Sequence, residues 1–216
     1  MKGGAGMDSG TILRSAVFLS DGRSDAPAVV SASLIRDLPP DRLVAVEEMW
    51  GPQRGIIREA LAQVGGSMQH AHWDWRDKID RAVKGQLLLS AIECDGEIQG
   101  LIAVAARARF ACLLPGAQAL YVDYIETAPW NLRTAVSPPR YEGVGTLLLA
   151  DALFRSRELG HDGRIGLHSL PSAVDYYRHR CGMTDLGEDP AYYDLRYFEY
   201  TAEEATAWLT RIEVSR

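Results

Sequence analysis

Arg140-Tyr141-Glu142-Gly143-Val144-Gly145-Thr146 stands between a run of strand character, residues 118–127, and one of helical character, residues 144–159. Glycines two apart let the backbone curl so that successive amide hydrogens point into one concavity. A helix starting there adds unpaired N–H groups and the positive end of its dipole. Such a turn suits an anion, most naturally a pyrophosphate, and Arg140 can add charge at its rim. The competing reading is a tight strand-to-helix connector with no ligand.

Working outward, Tyr121, Val122, Tyr124 and Ile125 mark the preceding strand. Leu147, Leu148, Ala150, Ala152 and Leu153 mark the following helix, with Gly160 as its cap. Upstream, residues 86–94 and 97–110 read as two strands joined by the hairpin turn Asp95-Gly96. Before them, residues 28–38 read as a strand. Residues 41–64 read as two helical stretches broken at Gly51-Pro52, and residues 75–83 as a short helix. Downstream come a strand at 164–170, a helix at 172–180 and a strand at 192–200. Thr201-x-x-Glu204 is a capping box that opens a last helix. Antiparallel strands followed by a β-α-β crossover predict a mixed α/β (α+β) sheet with helices on both faces.

Which anion the turn takes is narrowed by spacing. A dinucleotide fingerprint needs a third glycine where this chain has Leu148. A P-loop needs a lysine before Thr146, and Gly145 stands there. The remaining pattern, R-x-x-G-x-G, resembles the acyl-CoA loop of the GNAT superfamily of N-acetyltransferases. The context agrees: Thr127-Ala128-Pro129 resembles the usual exit of the strand before that loop. Farther on, Ala173, the pair Tyr176-Tyr177 and then Gly182-Met183 resemble the family's later helix. The resemblance covers residues 86–200 well and 28–85 in outline. The connection at 130–139 is longer than usual, and Ser169-Leu170-Pro171-Ser172 stands where many members carry Asn.

The resemblance implies a single GNAT-like domain with a centrally splayed sheet. It implies acetyl-CoA as the acetyl donor, with its pyrophosphate on the amides of Tyr141, Gly143, Val144, Gly145 and Thr146 and its pantetheine beside Ile125 and Thr127. It implies direct attack by an amine and a tyrosine that protonates the leaving thiolate, by motif position Tyr177. A primary amine with a pKa near 10 also needs a base. Glu126 fits this, with Asp123 as the alternative; strand alternation places the two on opposite faces. The acceptor is a small amine or a peptide or protein amino group. A non-catalytic acyl-CoA-binding or interaction module is the alternative reading.

The 216 residues carry a net charge of −6, with 47% hydrophobic and 24% charged residues, which is globular composition and unsuited to general nucleic-acid binding. Residues 1–25, four glycines among the first ten, read as a flexible extension, and 26–216 as the domain. Three scattered cysteines imply neither a disulfide framework nor a zinc site and point to the cytoplasm. His70-x-His72 lacks a third metal ligand and reads as a surface loop. Trp73, Trp75 and Trp130 are candidate acceptor-pocket residues, Trp130 on its loop foremost, while Trp75 on a helix reads rather as core. No apolar run approaches the roughly 20 residues of a membrane span. A strand edge near residues 192–200 would permit a homodimer.

Overall fold

The computed structural model describes residues 13–23, 28–134 and 137–214. Ten strands form one sheet: β1 (Leu13–Asp21), β2 (Val29–Arg36), β3 (Leu87–Cys94), β4 (Glu97–Ala105), β5 (Arg109–Phe110), β6 (Gln118–Thr127), β7 (Tyr141–Glu142), β8 (Ile165–Ser169), β9 (Thr184–Asp189) and β10 (Leu195–Tyr200). Their order is β7-β1-β2-β3-β4-β6-β8-β10-β9, with β5 beside β6. Every pairing is antiparallel except β6 with β8. The helices are α1 (Arg42–Gln63), α2 (Ile79–Val83), α3 (Val144–Glu158) and α4 (Ala202–Val214).

Local chemistry accounts for much of this. Asp95 and Gly96 both have positive φ, which is what a two-residue hairpin turn requires, and Cys94 faces Glu97 across it. The capping box closes both ways: Glu204 N–H donates to Thr201 Oγ1 at 3.2 Å, and Thr201 N–H donates to Glu204 Oε2 at 2.9 Å. Two apolar clusters cover the two sheet faces. Leu147, Leu148 and Leu153 of α3 share one with Trp208 and Leu209 of α4. Leu43, Val46 and Trp50 of α1 share the other with Trp75.

Several expectations are corrected. Leu13–Asp21 is not extension but a strand, paired with β2 from Leu13↔Arg36 to Ser20↔Val29; residues 1–12 lie outside the described part. It also pairs with β7, so it holds the residues just before the glycine turn. Gly51-Pro52 does not interrupt α1, which runs through Pro52. Pro52 and Glu48 both sit on the exposed side, where water can take the carbonyl that the proline leaves unpaired. The 97–110 run is two strands, β4 and β5. The 172–180 helix is a 3₁₀ turn, Pro171–Ala173, followed by a π-helix, Tyr176–Cys181. The strand near 192–200 is not an edge: β9 covers it, and β9 is the free edge.

The splay is visible in the register. β6 pairs with β8 only over Leu120↔Ile165, Tyr121↔Gly166 and Val122↔Leu167. Beyond Val122 the two strands separate, and the β8-facing backbone groups of residues 123–127 are left unpaired by the sheet. Gly100 of β4 lets α3 lie close beside this gap. A Cβ there would fall 2.4 Å from Val144 Cγ1 and 2.9 Å from Leu148 Cδ1. We expect Gly100→Ala to cost about 1–3 kcal/mol through overpacking, read by thermal unfolding. An unchanged melting temperature would mean that α3 is not seated this tightly.

Candidate active site

Gly143 caps α3 from the left-handed region, φ +91°, a conformation that costs a side-chain-bearing residue about 1–2 kcal/mol. The first helical acceptor contact is Leu147 N–H to Gly143 O at 2.9 Å. The amides of Val144, Gly145 and Thr146 precede it and have no intrahelical acceptor. Gly145 serves differently. A Cβ there would meet only Thr127 Cγ2 and Tyr176 Oη, each at 3.8 Å. The missing side chain leaves open space at the turn rather than relieving a clash.

Two cavities meet at this turn. The outer one, of about 650 Å³, is bounded by Gly143–Thr146, the π-helix and α4, with Arg133, His179 and Arg180 on its walls. The inner one, of about 490 Å³, reaches Ile125, Glu126, His70, Trp73 and Tyr177. Both touch Thr127, Gly143, Gly145, Thr146 and Tyr176, so they are halves of one cleft. Tyr176 stands at the passage, its hydroxyl 3.2 Å from Thr146 Oγ1. Tyr177 faces only the inner half, with its ring against Phe198 at 5.8 Å. Burial pushes both phenols well above their ordinary range, so both stay protonated.

Glu126 lies at the inner end, 5% exposed. Its Oε1 accepts from Arg54 Nε at 2.9 Å and its Oε2 from Trp75 Nε1 at 2.6 Å. Arg54 also donates to both oxygens of Glu47 and to the Trp73 carbonyl. Burial raises the Glu126 pKa, opposed by Arg54 and by the Trp75 bond. Glu47 and Arg54 come from α1, and nothing in their local sequence points to the site. The loop carrying His70 is tied across the cleft, where Ser172 N–H donates to Gln69 Oε1 at 2.9 Å.

The structure thus brings Ile125, Glu126, Thr127, Gly143, Gly145, Thr146 and Tyr177 to one cleft, with Val144 and Tyr141 on its outer wall. The side chain of Tyr141 is turned away, its hydroxyl donating to Asp95 Oδ2 at 2.5 Å. Arg140 lines neither cavity. Its guanidinium donates to Glu97 at 2.7 Å, because the hairpin carboxylates beside it outbid the open rim. Asp123 is also absent from the cleft, bonded to Arg81 at 2.7 Å. The register shift between Ala103 and Val104 breaks strict alternation at Asp123, so both carboxylates reach arginines of the α1–α2 layer. Of the three candidate tryptophans only Trp73 lines the cleft, while Trp208 of α4 borders its outer half. Trp75 is core, and Trp130 donates to Gln99 Oε1. His70, expected on a surface loop, is half-buried at the inner wall. Among the described residues no His, Cys, Asp and Glu cluster could hold a metal, and no helix is long and apolar enough to cross a membrane.

A mixed sheet that splays beside a glycine turn, with the cleft running from that turn into the splay, is the fold of the GNAT acetyltransferases, as the sequence leads one to expect. The chain superposes on the PaiA N-acetyltransferase of Thermoplasma acidophilum, solved with coenzyme A, at a TM-score of 0.50 and 14% identity, over 80% of this chain and 99% of that one. A putative GNAT-family acetyltransferase of Desulfovibrio desulfuricans gives 0.49 and 15%, over 78% and 96%. A GNAT-family acetyltransferase of Brucella melitensis, solved with acetyl-CoA, gives 0.45 and 20%, over 79% and 87%. No protein-family model and no curated protein sequence matches the chain.

Proposed function

We propose that this chain is an acetyl-CoA-dependent N-acetyltransferase acting on an amine by direct attack. The observation that carries this is the continuous cleft, with free helix amides at one end and Glu126 and Tyr177 together at the other. Acetyl-CoA would supply the activated thioester. The amides of Val144, Gly145 and Thr146 suit its pyrophosphate. Arg180, on the outer wall, suits the cationic part that the sequence suggests for Arg140. The unpaired backbone at Ile125 and Thr127 suits an amide-bearing arm. Tyr177, held protonated, donates toward the departing sulfur, and the Glu126 cluster is where the ammonium proton is drawn.

Calorimetric titration with acetyl-CoA, with NADH and ATP as controls, tests the donor; thiol release over a panel of amines tests the transfer. Micromolar binding of acetyl-CoA alone is expected. A folded protein that binds none overturns the proposal, and binding without turnover on any amine returns the non-catalytic reading. Gly145→Val refines the test, because its branched side chain would project between Thr127 and Tyr176. We expect its melting temperature to stay within a few degrees of the parent while acetyl-CoA affinity falls at least ~10-fold, about 1.4 kcal/mol.

A further inference from the structure

His70 packs its ring against Trp73 at 5.7 Å in the inner cavity, but no protein partner accounts for its ring nitrogens. Its Nε2 is sealed from solvent and has no hydrogen-bond partner, and it lies 3.8 Å from Glu126 Oε1. Its Nδ1 has no protein partner either, yet is not among the sealed polar atoms. The imidazole therefore lines the cleft with Nε2 beside a buried carboxylate, and Nδ1 is the nitrogen that is not sealed in. Behind it, two carboxylates, Glu47 and Glu126, share the single guanidinium of Arg54. That hydrogen-bonded set is one positive charge short while His70 is neutral, and balanced once His70 takes a proton. Leu61, Met68, Trp73, Leu132 and Leu170 give the inner cavity its apolar lining.

Resting on the proposed acetyl transfer, we infer that the acceptor is an ammonium carried on an apolar body, and that His70 takes its proton at Nδ1 with Nε2–H turned to Glu126. One ammonium proton goes to Nδ1 and from there to solvent. The nitrogen's lone pair forms the C–N bond as the C–S bond breaks. The second proton, lost as the amide forms, balances the one gained by the departing thiol. A neutral imidazole is needed at the start, and burial with the nearby Arg54 charge holds His70 down at about 4. The charged and titratable groups around it are Arg54 and Glu47 from α1, Glu126 from β6, His72 from its own loop, and Tyr176 and Tyr177 of the π-helix, which line the same cavity. Lys78 lies over the Tyr124 ring at 4.6 Å, outside the hydrogen-bonded set but within electrostatic reach of Glu126 and Glu47, and Arg133 is paired with Glu142.

The probe is 2-phenylethylammonium with acetyl-CoA. An enzyme that uses the ammonium with a neutral base has kcat/KM flat between the two pKa values, here from about pH 5 to about pH 9. His70→Gln keeps a polar side chain facing Glu126 but cannot take the proton. We expect it to bind acetyl-CoA as the parent does, and its kcat/KM to rise ~10-fold per pH unit, because only free amine then reacts. An NMR titration of the His70 ring, needing no turnover, should shift when 2-phenylethylammonium is added. Amine binding at His70 without turnover supports the site and overturns the transfer reading. Turnover whose pH profile His70→Gln leaves flat overturns the role given to His70 while acetyl transfer stands. No shift of the ring with the probe overturns the acceptor class.

Discussion

Arg54→Leu is expected to unfold this protein well below the parent's melting temperature. Arg54 is 2% exposed, and its guanidinium donates to Glu47, Glu126 and the Trp73 carbonyl at once. Removing one partner of a buried ion cluster costs about 3–5 kcal/mol, because the charge left behind is neither solvated nor paired. In Arg54→Leu two carboxylates are left behind. For a chain of this size roughly 2–4 °C is lost per kcal/mol, so a fall of roughly 6–20 °C is expected.

The pH dependence gives the sign. Burial already raises the Glu126 pKa in the folded chain, so the folded state binds more protons than the unfolded one just above the ordinary carboxylate range. That contribution is fully present below the unfolded pKa and is lost as pH rises through the folded one. Without Arg54 the main opposing cause disappears and the folded pKa moves further up. Arg54→Leu should therefore regain stability on acidification from pH 7 toward pH 5, where the parent changes less. Combining Arg54→Met with Glu47→Gln and Glu126→Gln should recover most of the loss, since the acceptors for Trp75 remain and no charge is stranded. Equal losses in the single and triple variants would mean that Arg54 acts by packing, not by charge.

What could be read from the chain, and what could not, follows how far each signal reaches. Asp95-Gly96, Gly143 and Thr201-x-x-Glu204 were legible because each is decided by its own backbone angles or by a partner three residues away. Leu13–Asp21 was not: only Leu19 in it is buried, so it carries no strand pattern, and pairing with β2 and β7 alone makes it a strand. Thr184–Asp189 was missed for the same reason, being a polar edge strand without a buried residue. In the site, the glycine turn and the end of β6 were legible from spacing. Arg140 was misplaced because Glu97, 43 residues away, competes for it. Arg54 and His70 were invisible as site residues because their partner Glu126 lies far along the chain, and a His-x-His pair on a loop has no pattern of its own.

Tyr177→Phe is expected to slow acetyl transfer by ~10²-fold or more while leaving acetyl-CoA affinity within about threefold, since positioned proton donors contribute ~10²–10⁴. Tyr177 shares the inner half of the cleft with Glu126 and His70, and its hydroxyl meets no protein partner among the described residues. Tyr176 stands at the passage, bonded to Thr146 and in reach of the anion end. Tyr176→Phe should thus do the reverse, weakening acetyl-CoA binding more than it slows turnover at saturating donor. Burial keeps both phenols protonated through the working range, so neither change should add or remove a limb below about pH 10. Single-turnover thiol release beside equilibrium binding separates the two effects. A fully active Tyr177→Phe enzyme would remove the acid role from that residue. If Tyr176→Phe instead lost turnover at unchanged affinity, the proton donor would be the tyrosine at the passage, and the thioester would lie one side chain farther out than proposed.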